Sequence, residues 1–213
     1  MSANPRSSAQ VRRQERGLRR MEQILDAAEE LIGEVGFEET TTNTVAARAG
    51  VSPGSLYQFF ANKDALLDGV AERYTVASQD FWDQHLGEHV ARLELSALID
   101  QVLDSLTEFK TRRPAFWVLF HGSGASPRLA EVADRIRGEI SSRLRAVFRF
   151  RAPHESEERL EVMANVSVAT VRGLFPLVIA AESTKRPAVL AELKAVLHGY
   201  LASTIGAGSA PPP

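Results

Sequence analysis

The sequence contains no cysteine and no long run of apolar residues. Without cysteine, the chain has no disulfide, no thiolate ligand for zinc and no thiol nucleophile. A transmembrane helix needs about 18 to 20 consecutive apolar residues, and the most apolar run, Gly173–Ala181, is about half that length and contains Pro176. The sequence therefore predicts no membrane span. Because the N-terminus has no signal-peptide pattern, we expect a cytoplasmic protein.

The sequence also lacks the alternating apolar pattern of β-strands and any repeat of fixed period. Its 213 residues are 44% hydrophobic and 24% charged, which is the composition of a globular protein with enough apolar surface to fold. Apolar residues instead recur at helical spacing along nearly the whole chain. We therefore predict an all-α protein of about nine helices.

Charge is unevenly distributed, although 25 basic and 27 acidic residues almost balance. The first 20 residues contain six arginines and a single acidic residue, Glu15, so they carry a charge of +5 and leave −7 for the rest of the chain. A basic N-terminal segment on an otherwise acidic chain indicates that this segment binds a polyanionic partner. The alternative is that the segment is a solubilising tail. We predict a mobile basic arm at residues 1–17 and a disordered tail at residues 206–213.

Residues 42–57 have the pattern of a helix-turn-helix, in which two short helices are joined by a tight turn. Gly50 supplies the left-handed backbone that ends the first helix. Ser52 suits the N-cap of the second helix and Pro53 its first position. With Leu56 buried, the second helix presents a polar face that can lie in the major groove of DNA.

A longer helix is predicted on each side of this motif. Apolar residues at helical spacing from Ile24 onward predict a first helix that ends at Gly36. After the motif, Asn62 is positioned to cap a long helix from Lys63 to about Leu86. The last two helices of the chain are apolar on more than one face, which indicates cover from two sides, either within the monomer or from a second chain.

The order and spacing of several stretches resemble the DNA-binding head of the tetracycline-repressor (TetR) family of bacterial regulators, over about residues 19–67. These stretches are Ile24-Leu25-Asp26-Ala27-Ala28, Gly36-Phe37, Thr41-Thr42, Val45-Ala46, Ala49-Gly50-Val51-Ser52, Gly54-Ser55-Leu56-Tyr57 and Phe60-Ala61-Asn62-Lys63-Asp64-Ala65-Leu66-Leu67. The resemblance implies a homodimeric repressor of a palindromic operator, released by a small hydrophobic or aromatic effector. It implies a DNA-binding domain at residues 18–65 and an effector-binding domain at residues 66–205, which dimerises through the last two helices.

The resemblance also implies which residues contact double-stranded DNA. The candidates lie on the supporting helix, on the recognition helix and at the start of the following helix: Thr42, Asn43, Arg48, Pro53, Gly54, Ser55, Tyr57, Gln58 and Lys63. The recognition helix has no arginine, so it lacks the strongest bidentate contact to guanine. We expect base reading to depend on side chains such as Gln58 and on DNA shape.

Aromatic residues in the middle of the chain predict a pocket for the effector, at the position where the family binds its ligands. Apolar pockets with a few polar groups are typical of small-molecule sites, and plain core packing is the alternative. The candidate ligand-binding residues are Phe81, Trp82, Phe109, Phe116, Trp117, Phe120, His121, Met163, Asn165, Arg172 and Phe175.

Two functions from other classes compete with the regulator. The segment from His85 to His89 has the His-x-x-Glu-His spacing of some zinc peptidases, with Glu88 as the base, and would make the protein a metal-dependent hydrolase. Against that, Gly87 interrupts the helix that the ligands need. The second alternative is a helical adaptor that uses its broad apolar helices without DNA. We predict a regulator with no catalytic residues, no metal and no cofactor.

Overall fold

The computed structural model of the chain describes the backbone of residues 5–113, 115–121 and 126–206, and their side chains except at residues 5–13, 77–80, 88 and 110–112. These ranges form ten α-helices and contain no strand. The helices are α1 (Pro5–Glu39), α2 (Thr42–Arg48), α3 (Pro53–Tyr57), α4 (Lys63–Leu86), α5 (Glu88–Ala91), α6 (Leu95–Arg112), α7 (Phe116–His121), α8 (Pro127–Arg151), α9 (Glu157–Ala180) and α10 (Arg186–Ile205).

The all-α class is confirmed, and the prediction of about nine helices missed only α5. A helix of four residues is too short to show a hydrophobic period. The long helix α4 has the predicted bounds, and the backbone N–H of Ala65 donates to Oδ1 of Asn62 at 2.8 Å, which is the predicted cap. Local rules of capping therefore located the helix that follows the motif.

The N-terminal part of α1 differs from the sequence prediction. α1 begins at Pro5, so residues 5–17 are helical where a mobile arm is predicted. Proline suits the first position of a helix, and Gly17 is the only poor helix former before the core is reached. The predicted end at Gly36 is confirmed, because Gly36 has φ 86° and interrupts the helical backbone. Of the predicted tail, residues 207–213 lie outside the described residues.

The chain divides into two compact units, Met1–Tyr74 with Arg113–Ala130, and Thr75–Arg112 with Glu131–Pro213. This division differs from the predicted domain boundary at residues 65 and 66. In the first unit α1 packs against both α2 and α7, so the segment that contains α7 belongs with the N-terminal helices. The assignment of functions to residues 18–65 and 66–205 stays a prediction.

In the second unit α10 packs against α9 and α6, and a buried arginine joins several helix ends. Arg151 is only 4% exposed. Its Nε donates to the carbonyl of Ile205 at 2.8 Å, and its Nη1 donates to the carbonyls of Ala91 at 2.9 Å and Leu93 at 2.6 Å. Burial lowers the pKa of Arg151, but an arginine remains charged. The guanidinium supplies donors to carbonyls at the ends of α5 and α10, where helices lack their own.

The helix α9 is apolar on two faces. One face is buried and includes Leu160 and Phe175, whereas Val162, Val166 and Leu177 are exposed. By length and composition α9 is apolar enough to cross a membrane. The prediction of no membrane span depended only on unbroken apolar runs. A core helix passes the same test, and a third of the most apolar window of α9 is buried. Apolar residues lie on both the buried and the exposed face of α9, as the sequence predicted.

Candidate nucleic-acid interface and ligand site

The predicted helix-turn-helix is formed by α2 and α3. A reciprocal capping box starts α2: the N–H of Thr44 donates to Oγ1 of Thr41 at 3.1 Å, and the N–H of Thr41 donates to Oγ1 of Thr44 at 3.0 Å. Val45 and Ala46 are fully buried and anchor α2 in the first unit. Gly50 has φ 65°, which is the left-handed conformation that the turn requires.

The start of α3 follows the predicted pattern too. Ser52 is the N-cap, and its Oγ accepts from the N–H of Ser55 at 3.2 Å. Pro53 occupies the first turn, where no backbone N–H is needed. Leu56 is fully buried and fixes the inner side of α3, which leaves Tyr57 half exposed on the surface. α3 ends at Tyr57, with Gln58 as its C-cap.

The candidate DNA-binding residues all reach the surface at least in part. Asn43, Arg48, Pro53, Gly54, Tyr57 and Gln58 are exposed, and Thr42, Ser55 and Lys63 are half-buried. The structure brings Thr42 and Tyr57 together across the motif, with 3.1 Å between Oγ1 and Oη. This hydroxyl pair orients the Tyr57 ring from α2, and it was not predicted from the sequence.

Arg48 is held by two glutamates of α1. Its guanidinium makes a bidentate contact with Glu34, at 3.1 Å from Nη1 to Oε1 and 2.9 Å from Nη2 to Oε2, and Nη1 also donates to Glu30 Oε2 at 3.3 Å. Hydrogen bonding to Arg48 lowers the pKa of Glu34, and the same bond raises the pKa of Arg48. Without DNA, the ion pairs of Arg48 therefore link α2 to α1. Sequence reasoning missed this contact because the partners lie on a different helix.

Lys63 also has a partner within the first unit. Its Nζ donates to the carbonyl of Glu38 at 2.8 Å and lies 4.3 Å from the centre of the Phe37 ring. These contacts hold the turn that follows Gly36. An ammonium group has three donors, so one bond to a carbonyl leaves Lys63 able to bind a phosphate as well.

The candidate ligand residues of α7 form an aromatic cluster in the first unit. The ring of Phe116 stacks on Tyr74 at 5.3 Å and on Phe120 at 5.5 Å, and Trp117 meets Phe120 edge-on at 5.6 Å. Nδ1 of His121 lies 2.8 Å from the carbonyl oxygen of Trp117. Sequence reasoning missed Tyr74, because it lies on α4, away from the aromatic run.

A second aromatic cluster lies in the second unit, between α4 and α6. The ring of Phe81 is 4.4 Å from that of Phe109 and 4.9 Å from that of Trp82. His85, which the ligand prediction omits, is 4.4 Å from Phe81, and its Nδ1 is 2.9 Å from Oγ of Ser105. Burial lowers the pKa of His85, which favours the neutral imidazole.

The remaining candidates on α9 do not share one environment. Met163 and Phe175 are buried in the core, whereas Asn165 and Arg172 are exposed. Oδ1 of Asn165 accepts from Oγ of Ser141 at 2.6 Å, and Asn165 lines a cavity of about 160 Å³ between α8 and α9. A second cavity of about 160 Å³ lies between α6 and α10, and none of the candidate aromatic residues lines either one. The candidates therefore divide between two aromatic clusters, the core of α9 and its surface.

The motif from His85 to His89 is split between two helices. α4 ends at Leu86, and Gly87 is the N-cap of α5, as its helix-breaking character predicts. His89 Nε2 lies 2.9 Å from the carbonyl oxygen of Gln84, and the side chain of Glu88 lies outside the described residues. In the described part of the chain, no three His, Asp or Glu side chains converge in a way that would hold a metal ion.

The helices of the described residues, with a helix-turn-helix whose second helix is exposed, have the architecture of DNA-binding transcriptional regulators. The chain belongs to the TetR family. Residues 24–70 match the family described as bacterial regulatory proteins of the tetR family, and residues 94–201 match the tetracycline repressor-like C-terminal domain. The resemblance on which the sequence interpretation rested is thereby confirmed.

Individual relatives and solved structures agree with this assignment. The chain is 29% identical over 146 residues to the HTH-type transcriptional regulator BetI of Escherichia coli (strain K12), a match that covers 65% of this chain and 73% of BetI. It is 38% identical over 81 residues to BetI of Serratia proteamaculans, covering 38% and 36% of the two chains. Its fold is similar to the SmeT–triclosan complex, with a TM-score of 0.65, 23% identity and coverage of 91% and 95%. Salmonella enterica GusR has a TM-score of 0.63, 23% identity and coverage of 86% and 96%.

Proposed function

We propose that the protein is a transcriptional repressor that binds a palindromic operator as a homodimer and is released by a small hydrophobic or aromatic molecule. The observation that carries this proposal is the surface of α3, where the half-exposed Tyr57 lies next to the fully buried Leu56. SmeT, whose fold is similar, is described as the repressor of the Stenotrophomonas maltophilia multidrug efflux pump SmeDEF. Operator binding places the protein in the cytoplasm.

In this proposal α3 lies in the major groove, and α2 packs against α3 next to the phosphate backbone of the DNA. Tyr57 and Gln58 are the base-reading candidates of α3, because helices of this kind contact base edges from one exposed face. Thr42, through its hydroxyl contact with Tyr57, sets the direction of that ring. The DNA next to these residues is contacted by Asn43, by Ser55 and by the protein backbone at Pro53 and Gly54. The phosphates are contacted by Lys63 and Arg48.

Replacing Gln58 with alanine is expected to change which sequences the protein prefers. Gln58 is exposed at the C-cap of α3 and has no role in the core, so the fold is unaffected. A lost base contact costs about 1–3 kcal/mol at one position of the site, which selection of binding sites from random DNA will reveal as relaxed preference there. A uniform loss of affinity for all sequences would show that Gln58 does not read bases.

Replacing Lys63 with alanine is expected to weaken binding to all sequences alike. One lost phosphate contact reduces the slope of log affinity against log salt by about 0.9 per protomer. Lys63 also bonds to the carbonyl of Glu38, so a thermal unfolding curve must accompany the binding titration. An unchanged salt slope would leave Lys63 with a structural role only.

The proposed dimer pairs α9 and α10 of two subunits in a four-helix bundle. Val162, Val166 and Leu177 are exposed on the face of α9 opposite its buried side, and Val196 is exposed on α10. Large apolar side chains in such a row indicate an interface. The two-fold axis then positions two copies of α3 about 34–36 Å apart, one turn of DNA.

For the effector we propose the two aromatic clusters described above, since pockets lined by aromatic side chains with a few polar groups suit small hydrophobic molecules. The candidates in them are Phe116, Trp117, Phe120 and His121 in the first unit, and Phe81, Trp82 and Phe109 in the second. Release requires that the effector bind the DNA-incompetent form more tightly than the DNA-bound form, because only that difference shifts the equilibrium. Useful coupling is about 1–3 kcal/mol.

The experiment that tests the proposal is binding of the purified protein to the DNA that flanks its own gene, at two salt concentrations and with competitor DNA. We expect selective binding that survives competitor, and release by one of a set of hydrophobic small molecules. An effector that changes DNA affinity by less than about fivefold would contradict release by ligand. Failure to select any sequence from random DNA would contradict the repressor itself.

A further inference from the structure

The first turns of α1 extend beyond the core of the protein. Ile24 is the first fully buried residue of α1, and every described side chain from residue 14 to residue 23 is exposed or half-buried. Within this stretch Arg16, Arg19 and Arg20 are exposed. The N-terminal part of α1 is therefore a helix that packs little of its surface and presents several cations.

The three arginines share one face of this helix. Residues three and four apart on a helix are neighbours, so Arg19 and Arg20 both lie one turn after Arg16. Leu18, which is also exposed, lies on another side of the helix. From Arg16 to Arg20 the helix rises about 6 Å, a length over which one DNA strand presents about two phosphates along its axis. The spacing and charge of the arginines match a phosphate backbone.

We propose that the N-terminal turns of α1 are a second DNA-contacting element, in which Arg16, Arg19 and Arg20 bind the phosphate backbone of the duplex whose major groove α3 occupies. This inference rests on the proposed operator binding. α1 is also the helix on which α2 packs, so a single helix carries both the basic face and the contact with the helix-turn-helix.

The helical conformation decides which kind of contact this element makes. An α-helix with its side chains is about 10–12 Å across, whereas the minor groove of B-DNA is about 6 Å wide. A helix therefore does not enter the minor groove as an extended basic arm does, and it stays on the backbone. Its contribution is independent of the DNA sequence and depends strongly on salt.

The first test replaces the three arginines together, as Arg16→Gln/Arg19→Gln/Arg20→Gln, in the full chain. The probe is a duplex that the wild-type protein selects from random DNA, with a scrambled duplex for comparison. We expect the slope of log affinity against log salt to fall by about 2–3 per protomer, with affinity for both duplexes reduced in the same proportion. A matched control, Arg92→Gln/Arg135→Gln/Arg145→Gln, removes the same charge from surface positions of the second unit outside α9 and α10 and is expected to leave the slope within about one unit of wild type.

The second test separates a helix from an extended arm. A helix without buried side chains depends on intrinsic propensity, and Gly17 lies within it, next to the basic face. A Cβ at Gly17 would meet no atom within 4 Å, so Gly17→Ala strengthens the helix without a clash, and Gly17→Pro breaks it. We expect Gly17→Ala to bind DNA about two- to fivefold more tightly and Gly17→Pro about tenfold or more weakly, with unchanged unfolding temperatures.

The outcomes are distinct. An unchanged salt slope in the triple variant, while the wild type still selects a DNA sequence, overturns this inference and leaves the proposed repressor intact. Equal DNA affinities of Gly17→Ala and Gly17→Pro, with a reduced slope in the triple variant, overturn the helical element in favour of an extended arm. If the triple variant loses the ability to bind vesicles that contain phosphatidylserine while its DNA affinity is unchanged, the basic face is assigned to a membrane. That result also overturns the inference.

Discussion

Replacing Val166 with aspartate is expected to separate the dimer into monomers and to reduce affinity for a palindromic operator by about 100-fold or more. Val166 is 39% exposed on the face of α9 that also carries Val162 and Leu177. A carboxylate buried in an apolar interface without a partner is strongly unfavourable. Without the dimer, the second half-site no longer benefits from the high effective concentration that linkage provides. Light scattering after size-exclusion chromatography and an operator titration measure the two effects.

The matched control is Val76→Asp, because Val76 is also an exposed valine but lies on α4, outside the proposed interface. This variant is expected to stay dimeric and to keep its operator affinity. If Val166→Asp remains a dimer as well, α9 does not supply the interface, and its exposed apolar face needs a different explanation.

Replacing Arg151 with methionine is expected to lower the unfolding temperature by about 10 °C. Methionine fills similar space but donates no hydrogen bond, so the carbonyls of Ala91, Leu93 and Ile205 lose their donor. A buried carbonyl left without a donor costs about 1–3 kcal/mol, so three of them cost at least about 3 kcal/mol, and 1 kcal/mol corresponds to about 2–4 °C in a chain of this size. Circular dichroism during heating measures the shift.

Arg145→Met is the control for Arg151→Met. Arg145 is also on α8, but its side chain is 41% exposed, and its Nη1 is 4.0 Å from Oε2 of Glu161. An exposed ion pair of this kind contributes about 0–1 kcal/mol, so we expect a shift of at most about 3 °C. Equal shifts for the two variants would show that the bonds of Arg151 to the helix ends add little to stability.

The predictions from sequence succeeded where short-range chemistry decides the structure. Gly50, the Ser52 cap and the Asn62 cap each act within a few residues of themselves, and all three lie in the predicted conformations. The buried Leu56 then fixes the exposed side of α3, because a helix has a regular period. Most of the geometry of the DNA-binding motif was therefore predictable from residue types and spacing.

Contacts between distant parts of the chain were not predictable in this way. Arg48 pairs with Glu34 of another helix, and Arg151 bonds to Ile205, 54 residues later. A pattern of residue types says that an arginine is present, but only the packing of helices selects its partner. The ligand candidates divided among several environments for the same reason, since an aromatic residue at helical spacing suits a core as well as a pocket.

If Arg48 contacts a phosphate as proposed, its bridge to α1 separates the strength of DNA binding from its selectivity. Glu30 and Glu34 hold the guanidinium of Arg48, for which we propose a phosphate contact, and neither of them lies on the recognition helix. On that proposal, a change from glutamate to glutamine at residue 34 weakens the competition from α1 for Arg48 without altering any base-reading candidate, and Glu30 still pairs with Arg48. Substitutions at these two glutamates would then change how tightly the proposed operator is held while the preferred DNA sequence stays the same.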